Sequence, residues 1–342
     1  MSMECKWKAA RVFRCCGRTT RFLTQSSILN RNRMNGDTES AMYAIMAYIY
    51  NCLQSGRSLQ SVEADCRLYL TQMEDLKREK ARRQTKTIFQ AVLNLTGKSR
   101  DPCVLTGEAM DQDLMTRVCN QEQDKVVLGM MQALRMQLLA TFGRYEEGAE
   151  LAVAVGNKLA NQIPGSTMVA TDPFFRALCL YGVVRKSPKT SKKYRRHAKK
   201  AHGIINTYLK KGNPNVRHLK QFLDAEKASL SPKSYRAALN DYEVATVMAS
   251  RHGFQQDAAL ANEHFGNFLL NCMKDEEMAA FRIHRAIRLY REWGSSLKAS
   301  MLEKEYEHLL LEYPDSKAIV PGSRYFTEVD DSGATVLMPL DA

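Results

Sequence analysis

Residues 235–260, YRAALNDYEVATVMASRHGFQQDAAL, decide the fold when they are set above residues 276–301, EEMAAFRIHRAIRLYREWGSSLKASM. A shift of 41 residues places Ala238 on Ala279, Ala245 on Ala286, Gly253 on Gly294 and Ala258 on Ala299, with Met248 on Leu289. Small residues at fixed helical positions let neighbouring helices approach closely, and a glycine supplies the left-handed residue that ends a helix. Helix, short turn and helix, repeated, is the pattern of tetratricopeptide-like arrays, although 41 residues exceeds their usual length of about 34.

The same pattern extends towards the N-terminus. Met42, Ile45, Met46, Ile49, Tyr50 and Leu53 recur at spacings of three and four and build one apolar helix face, closed by Gly56. A second helix is predicted over about 59–80, and a third runs to Gly97 through Ile88, Val92 and Leu95. After an irregular stretch at 99–107 come helices over 126–142 and 145–160, turned at Gly143. Further helices are predicted at about 172–185, 190–210, 214–229, 232–252, 255–273, 275–293 and 296–312. The expectation is an all-α chain, with a tetratricopeptide-like solenoid of antiparallel helix pairs over 36–313.

Two flanking segments differ in character. Between Lys6 and Arg33 there are eight basic residues and no acidic one, so 1–35 is expected to be a disordered basic arm; a transit peptide is the competing reading. In the irregular tail, 314–342, the segments Phe326–Val329 and Thr335–Met338 have the pattern of a hairpin around Asp331-Ser332-Gly333. No apolar run reaches the roughly 20 residues that span a bilayer. Nine cysteines are scattered without a CxxC pair, the usage of a reducing compartment. A cytoplasmic location is expected, with nuclear or organellar placement open.

A collinear set of motifs resembles a known family. It comprises Gly36-Asp37-Thr38-Glu39-Ser40-Ala41-Met42-Tyr43, Ser55-Gly56-Arg57-Ser58-Leu59, Asp101-Pro102 through Leu105-Thr106-Gly107-Glu108-Ala109, Phe142-Gly143-Arg144-Tyr145-Glu146, Asp172-Pro173-Phe174-Phe175, Ala259-Leu260-Ala261-Asn262-Glu263 and Ala286-Ile287-Arg288-Leu289-Tyr290-Arg291-Glu292-Trp293-Gly294. In order and spacing these resemble the helical-repeat region of large multi-domain sensor kinases, where Ser/Thr-kinase-like and AAA-type ATPase domains precede the repeats and GAF and histidine-kinase domains follow. The resemblance covers about residues 35–313 and none of the catalytic domains. It implies a protein-binding scaffold in signalling, with a kinase or an ATPase among its partners.

The residues themselves suggest no chemistry. Gly97-Lys98-Ser99 ends like a phosphate loop, but Val92 stands where the first glycine belongs and the segment follows a helix. His197 and His202 are five residues apart, off the chelating spacing of four. No HExxH, HRD with DFG, or GxSxG is present. The expectation is a protein that is not an enzyme and holds no metal or cofactor.

Two features remain as candidate partner-binding sites. Asn262 and Glu263 form a polar pair in an amphipathic helix, suited either to hydrogen-bonding across a helix interface or to contacting a bound peptide. From Pro173 to Leu223 there are fourteen Lys or Arg and no Asp or Glu, against a net charge of +13 for the whole chain. The densest part holds Lys192, Lys193, Arg195, Arg196, Lys199 and Lys200. It reads as a solvated face, as a site for an acidic protein, or as a site for nucleic acid or anionic lipid over 185–220. The leading expectation is a non-catalytic protein–protein interaction scaffold, with polyanion binding as the alternative.

Overall fold

The computed structural model describes residues 38–163, 166–187, 192–314, 325–329 and 335–339. The expected basic arm at 1–35 and most of the tail lie outside them. The described chain is all-α apart from one two-stranded ribbon. Its helices are α1 (Thr38–Gln54), α2 (Leu59–Asp75), α3 (Glu79–Leu95), α4 (Gln112–Gln121), α5 (Lys125–Thr141), α6 (Tyr145–Val155), a single turn α7 (Leu159–Gln162) and α8 (Met168–Lys186). They continue as α9 (Lys192–Lys210), α10 (Arg217–Ala228), α11 (Tyr235–Arg251), α12 (Gln255–Phe268), α13 (Glu276–Trp293), α14 (Ser296–Glu305) and α15 (Glu307–Glu312). None is long and apolar enough to cross a membrane. Strands β1 (Tyr325–Val329) and β2 (Thr335–Pro339) pair antiparallel, with Thr327 opposite Leu337.

Local chemistry sets the helix ends. Ser58, Asp111, Asp124 and Asp275 each accept a hydrogen bond from a backbone N–H of the first turn they precede. Three predicted boundaries shift for backbone reasons. The second helix stops at Asp75 rather than near 80 because Lys77 turns left-handed, at φ +53°. The helix from Tyr145 breaks at Gly156, at φ +59°. The 255–273 helix changes to a wider π-turn over Leu269–Met273 before Lys274, at φ +58°. Helix α4, within a stretch of weak periodicity, went unpredicted.

The alanine and glycine positions of the 41-residue shift have matched environments, whereas Met248 is half-buried where Leu289 is buried. Ala238, Ala279, Ala245, Ala286, Ala258 and Ala299 are all buried, and Gly253 and Gly294 both take positive φ. Side-chain contacts keep a similar interval. Arg67–Glu108 and Arg185–Glu226 are 41 residues apart, Lys186–Glu146 40, Arg83–Glu122 and His218–Asp257 39, and His264–Glu226 38. These contacts join helices about 40 residues apart in sequence.

A second set of contacts is far longer. Gln256 Nε2 donates to the Gln54 carbonyl 2.6 Å away and 202 residues back in sequence; Ser295 Oγ donates to the Leu95 carbonyl at 2.7 Å across 200 residues. Early turns thus pack on late ones, and one apolar core joins residues of α1, α2, α3 and α5 to residues of α12, α13 and α14. The tightest of these meetings is at Gly56, whose φ of +78° disfavours side chains and where a Cβ would stand 2.5 Å from the Gly253 carbonyl oxygen.

Gly143 provides a control, with φ +73° and no atom within 4 Å of the place a Cβ would occupy. Gly143→Ala should cost only the left-handed backbone penalty, about 1–2 kcal/mol. Gly56→Ala must also displace backbone from a distant turn and should cost clearly more in urea denaturation. Equal losses would show that the turn-on-turn contact does not hold the fold.

Candidate functional site

Helix α12 is buried over nearly its whole circumference, from Gln256 to Gly266 and at Phe268. Its polar side chains are therefore cut off from water and need protein partners. Glu263 Oε1 accepts from Lys298 Nζ at 2.7 Å and Oε2 from the Tyr290 hydroxyl at 2.9 Å, with both members of the ion pair almost fully enclosed. Asp257 Oδ2 lies 2.8 Å from His218 Nε2, and the His218 ring stacks on Phe254 at 4.4 Å. Asn262 Nδ2 donates back to the Ala258 carbonyl at 2.8 Å, while its Oδ1 is buried without a partner.

The largest polar cluster centres on Glu226 of α10. Its carboxylate accepts from Arg185 Nη2 at 2.7 Å, from the Tyr242 hydroxyl, and from His264 Nδ1 at 2.9 Å. The far nitrogen of His264 meets the Tyr145 hydroxyl at 3.0 Å, so α6, α8, α10, α11 and α12 are joined through one fully buried carboxylate. Burial alone would raise the Glu226 carboxyl; the adjacent Arg185 and His264 outweigh it and hold the group well below the usual carboxylate range. Burial, with Glu263 and Glu226 nearby, pushes the Tyr145 phenol well up.

These clusters resemble catalytic constellations in residue type. The cavity beside His218 and Asp257, lined by Thr171, Phe174, Asn215 and Phe254, measures about 20 Å³, the space of one water. Among the described residues no three of His, Cys, Asp and Glu are placed to hold a metal ion.

The sequence-predicted residues fall in two places. Asn262 and Glu263 are buried, 2% and 5% exposed, and Glu263 is bonded to the helices that follow. Lys192, Lys193, Arg195, Arg196, Lys199 and Lys200 are all exposed on α9, whose opposite stripe of Ala198, Ala201, His202 and Ile205 is buried. Within the basic segment 185–220 the structure separates two kinds of cation. Arg185, Lys186 and Lys220 pair with Glu226, Glu146 and Asp224. Among the described residues, the six cations of 192–200 have no carboxylate within ion-pair distance. His197, between them, is pushed down by burial and by Arg196, Lys193 and Lys200.

Sequence reading missed the Glu226 cluster. The available signal was the interval of about 40 residues joining Arg185, Glu226 and His264, and the position of Asp224 and Glu226 as the first acids after the long acid-free run. No protein-family model, curated protein or solved structure matches this chain. The sensor-kinase resemblance therefore rests on the quoted motifs alone.

Replacing Glu226 by Gln leaves Arg185 without its counter-charge and should cost about 3–5 kcal/mol near neutral pH. The wild-type carboxylate is depressed in the folded state. Its contribution is thus complete above the unfolded value of about 4.3 and is lost as pH falls below it. Urea denaturation at pH 7 and at pH 3.5 should show the gap between wild type and Glu226→Gln narrowing in acid. A gap independent of pH would contradict the charge assignment.

Proposed function

We propose that the protein is a non-catalytic interaction scaffold of tetratricopeptide-like helix pairs, and that it binds an anionic macromolecular partner through the outer face of α9. The uncompensated charge of that face carries the reading. Six exposed cations share nine residues of one helix, while Arg185, Lys186 and Lys220 on the neighbouring helices are paired. Two further observations support a scaffold. Contacts recur at intervals of about 40 residues, as stacked repeats require, and the buried His, Glu, Tyr and Lys side chains are occupied with each other. The sensor-kinase resemblance implies a signalling role and a kinase or ATPase among the partners, which an acidic surface on such a protein would satisfy.

Placement of the charges argues in the same direction. The positive end of a helix macrodipole lies at its N-terminus, where acidic residues stabilise and basic ones destabilise. Helix α9 opens with Lys192 and Lys193, has no acid in its first turn, and repeats like charges at spacings of three and four through Lys200. A sequence that breaks local rules without internal compensation marks a position selected for something other than stability.

The test is retention on immobilised heparin in 50 mM salt. The wild-type chain should be retained. A variant with Gln at 192, 193, 195, 196, 199 and 200 should flow through, with unchanged helical circular dichroism and equal or higher melting temperature. Equal retention of both proteins, or none of the wild type, would sink the proposal.

A further inference from the structure

The charge geometry of α9 points to a specific chemistry of partner: we infer that this face binds the phosphate backbone of a nucleic-acid duplex. The inference rests on α9 being the binding face and goes beyond it by choosing among anions. At 100° per residue, Lys192, Lys193, Arg195, Arg196, Lys199 and Lys200 project within an arc of about 160°, while the four buried residues of α9 occupy about 100° on the other side. From Lys192 to Lys200 the helix advances about 12 Å. A duplex carries one charge per ~1.7 Å of axis, about seven phosphates over that length, against six cations.

Other features of the face exclude alternatives. Single strands are held by stacking bases on exposed aromatic rings, and the one aromatic in this stretch, Tyr194, is half-buried against the helical core. Helices that bind anionic membranes also insert an apolar face, and here Ala198, Ala201 and Ile205 are already packed inside the protein. Tight protein interfaces centre on aromatic or aliphatic anchors, none of which lies among the exposed cations. Between Lys192 and Lys200 no Asn or Gln, the partners of adenine edges, accompanies the lysines and arginines. The remaining attraction is counterion release, which is greatest for the polyanion of highest linear charge density. Neighbouring polyanion charge would also reverse the depression of the His197 imidazole.

The experiment uses the full chain and a 20-base-pair duplex of random sequence, followed by fluorescence anisotropy from 50 to 200 mM salt. Parallel arms contain a single strand of the same length, polyglutamate, and vesicles with phosphatidylserine. Up to six phosphate contacts give a slope of log K against log salt near −5, a loss on the order of 10³-fold over this range. Lys199→Gln with Lys200→Gln should make the slope shallower by about 2, whereas Lys80→Gln with Lys304→Gln, equal in charge and away from α9, should leave it unchanged. The His197 imidazole, followed by NMR, should titrate at higher pH with duplex present than without it. Binding of polyglutamate, the single strand or vesicles in preference to duplex would overturn this inference and leave the scaffold reading standing. Binding in no arm would overturn both. Duplex binding with a slope indifferent to the α9 substitutions would place the contact elsewhere and refute it.

Discussion

Burial of α12 on all sides is the constraint on which the rest of the structure depends. A helix in that position cannot leave a carboxylate or an imidazole to water, so its charged and ring side chains take partners from other helices. Glu263 requires Lys298 and Tyr290 from the helices that follow; His264 requires Glu226 and Tyr145 from helices well before it. Asp257 requires His218, and Gln256 reaches the end of α1. Hydrophobic burial supplies the drive to collapse, and these directed bonds fix the order in which the helix pairs surround the centre.

That arrangement encloses residues that look chemically capable. Glu226 is strongly acidic because Arg185 and His264 converge on it in a dry interior, a situation also found in active sites. What distinguishes it is access, since the carboxylate is fully enclosed and each of its neighbours already holds a hydrogen bond. The contrast with α9 is one of compensation. Interior cations such as Arg176 and Lys298 have a carboxylate in contact, whereas the outward cations of 192–200 have none among the described residues. Charge that the fold does not neutralise is available to a partner.

Much of the fold could be read from the sequence, and the reasons are local. Three- and four-residue spacing of apolar side chains located most helices, and Gly56, Gly97, Gly143, Gly253 and Gly294 marked turns because each takes positive φ. The repeat found between 235–260 and 276–301 anticipated the burial of its matched alanines. Boundaries at Lys77 and Lys274 were harder, because a backbone reversal at a lysine leaves no mark in periodicity, and the glycine signal at Gly156 was passed over. Closure of early turns on late ones was illegible: nothing local to Gly56 reveals a carbonyl from Gly253. For the site, the exposed cations were legible from composition alone. Asn262 and Glu263 were visible as polar residues on an apolar helix, but their burial is decided by helices that pack on α12 from three directions.

One division of labour is central to the proposal: α9 presents exposed cations for a partner, and α12 is buried within the helical core. Amide hydrogen exchange of the intact chain, with and without a saturating duplex at low salt, tests that division directly. The expected result is slowed exchange confined to the first half of α9 and its flanks, with α12 already slow and unchanged. Unaltered exchange at 192–200, or a change centred on 255–268, would contradict it.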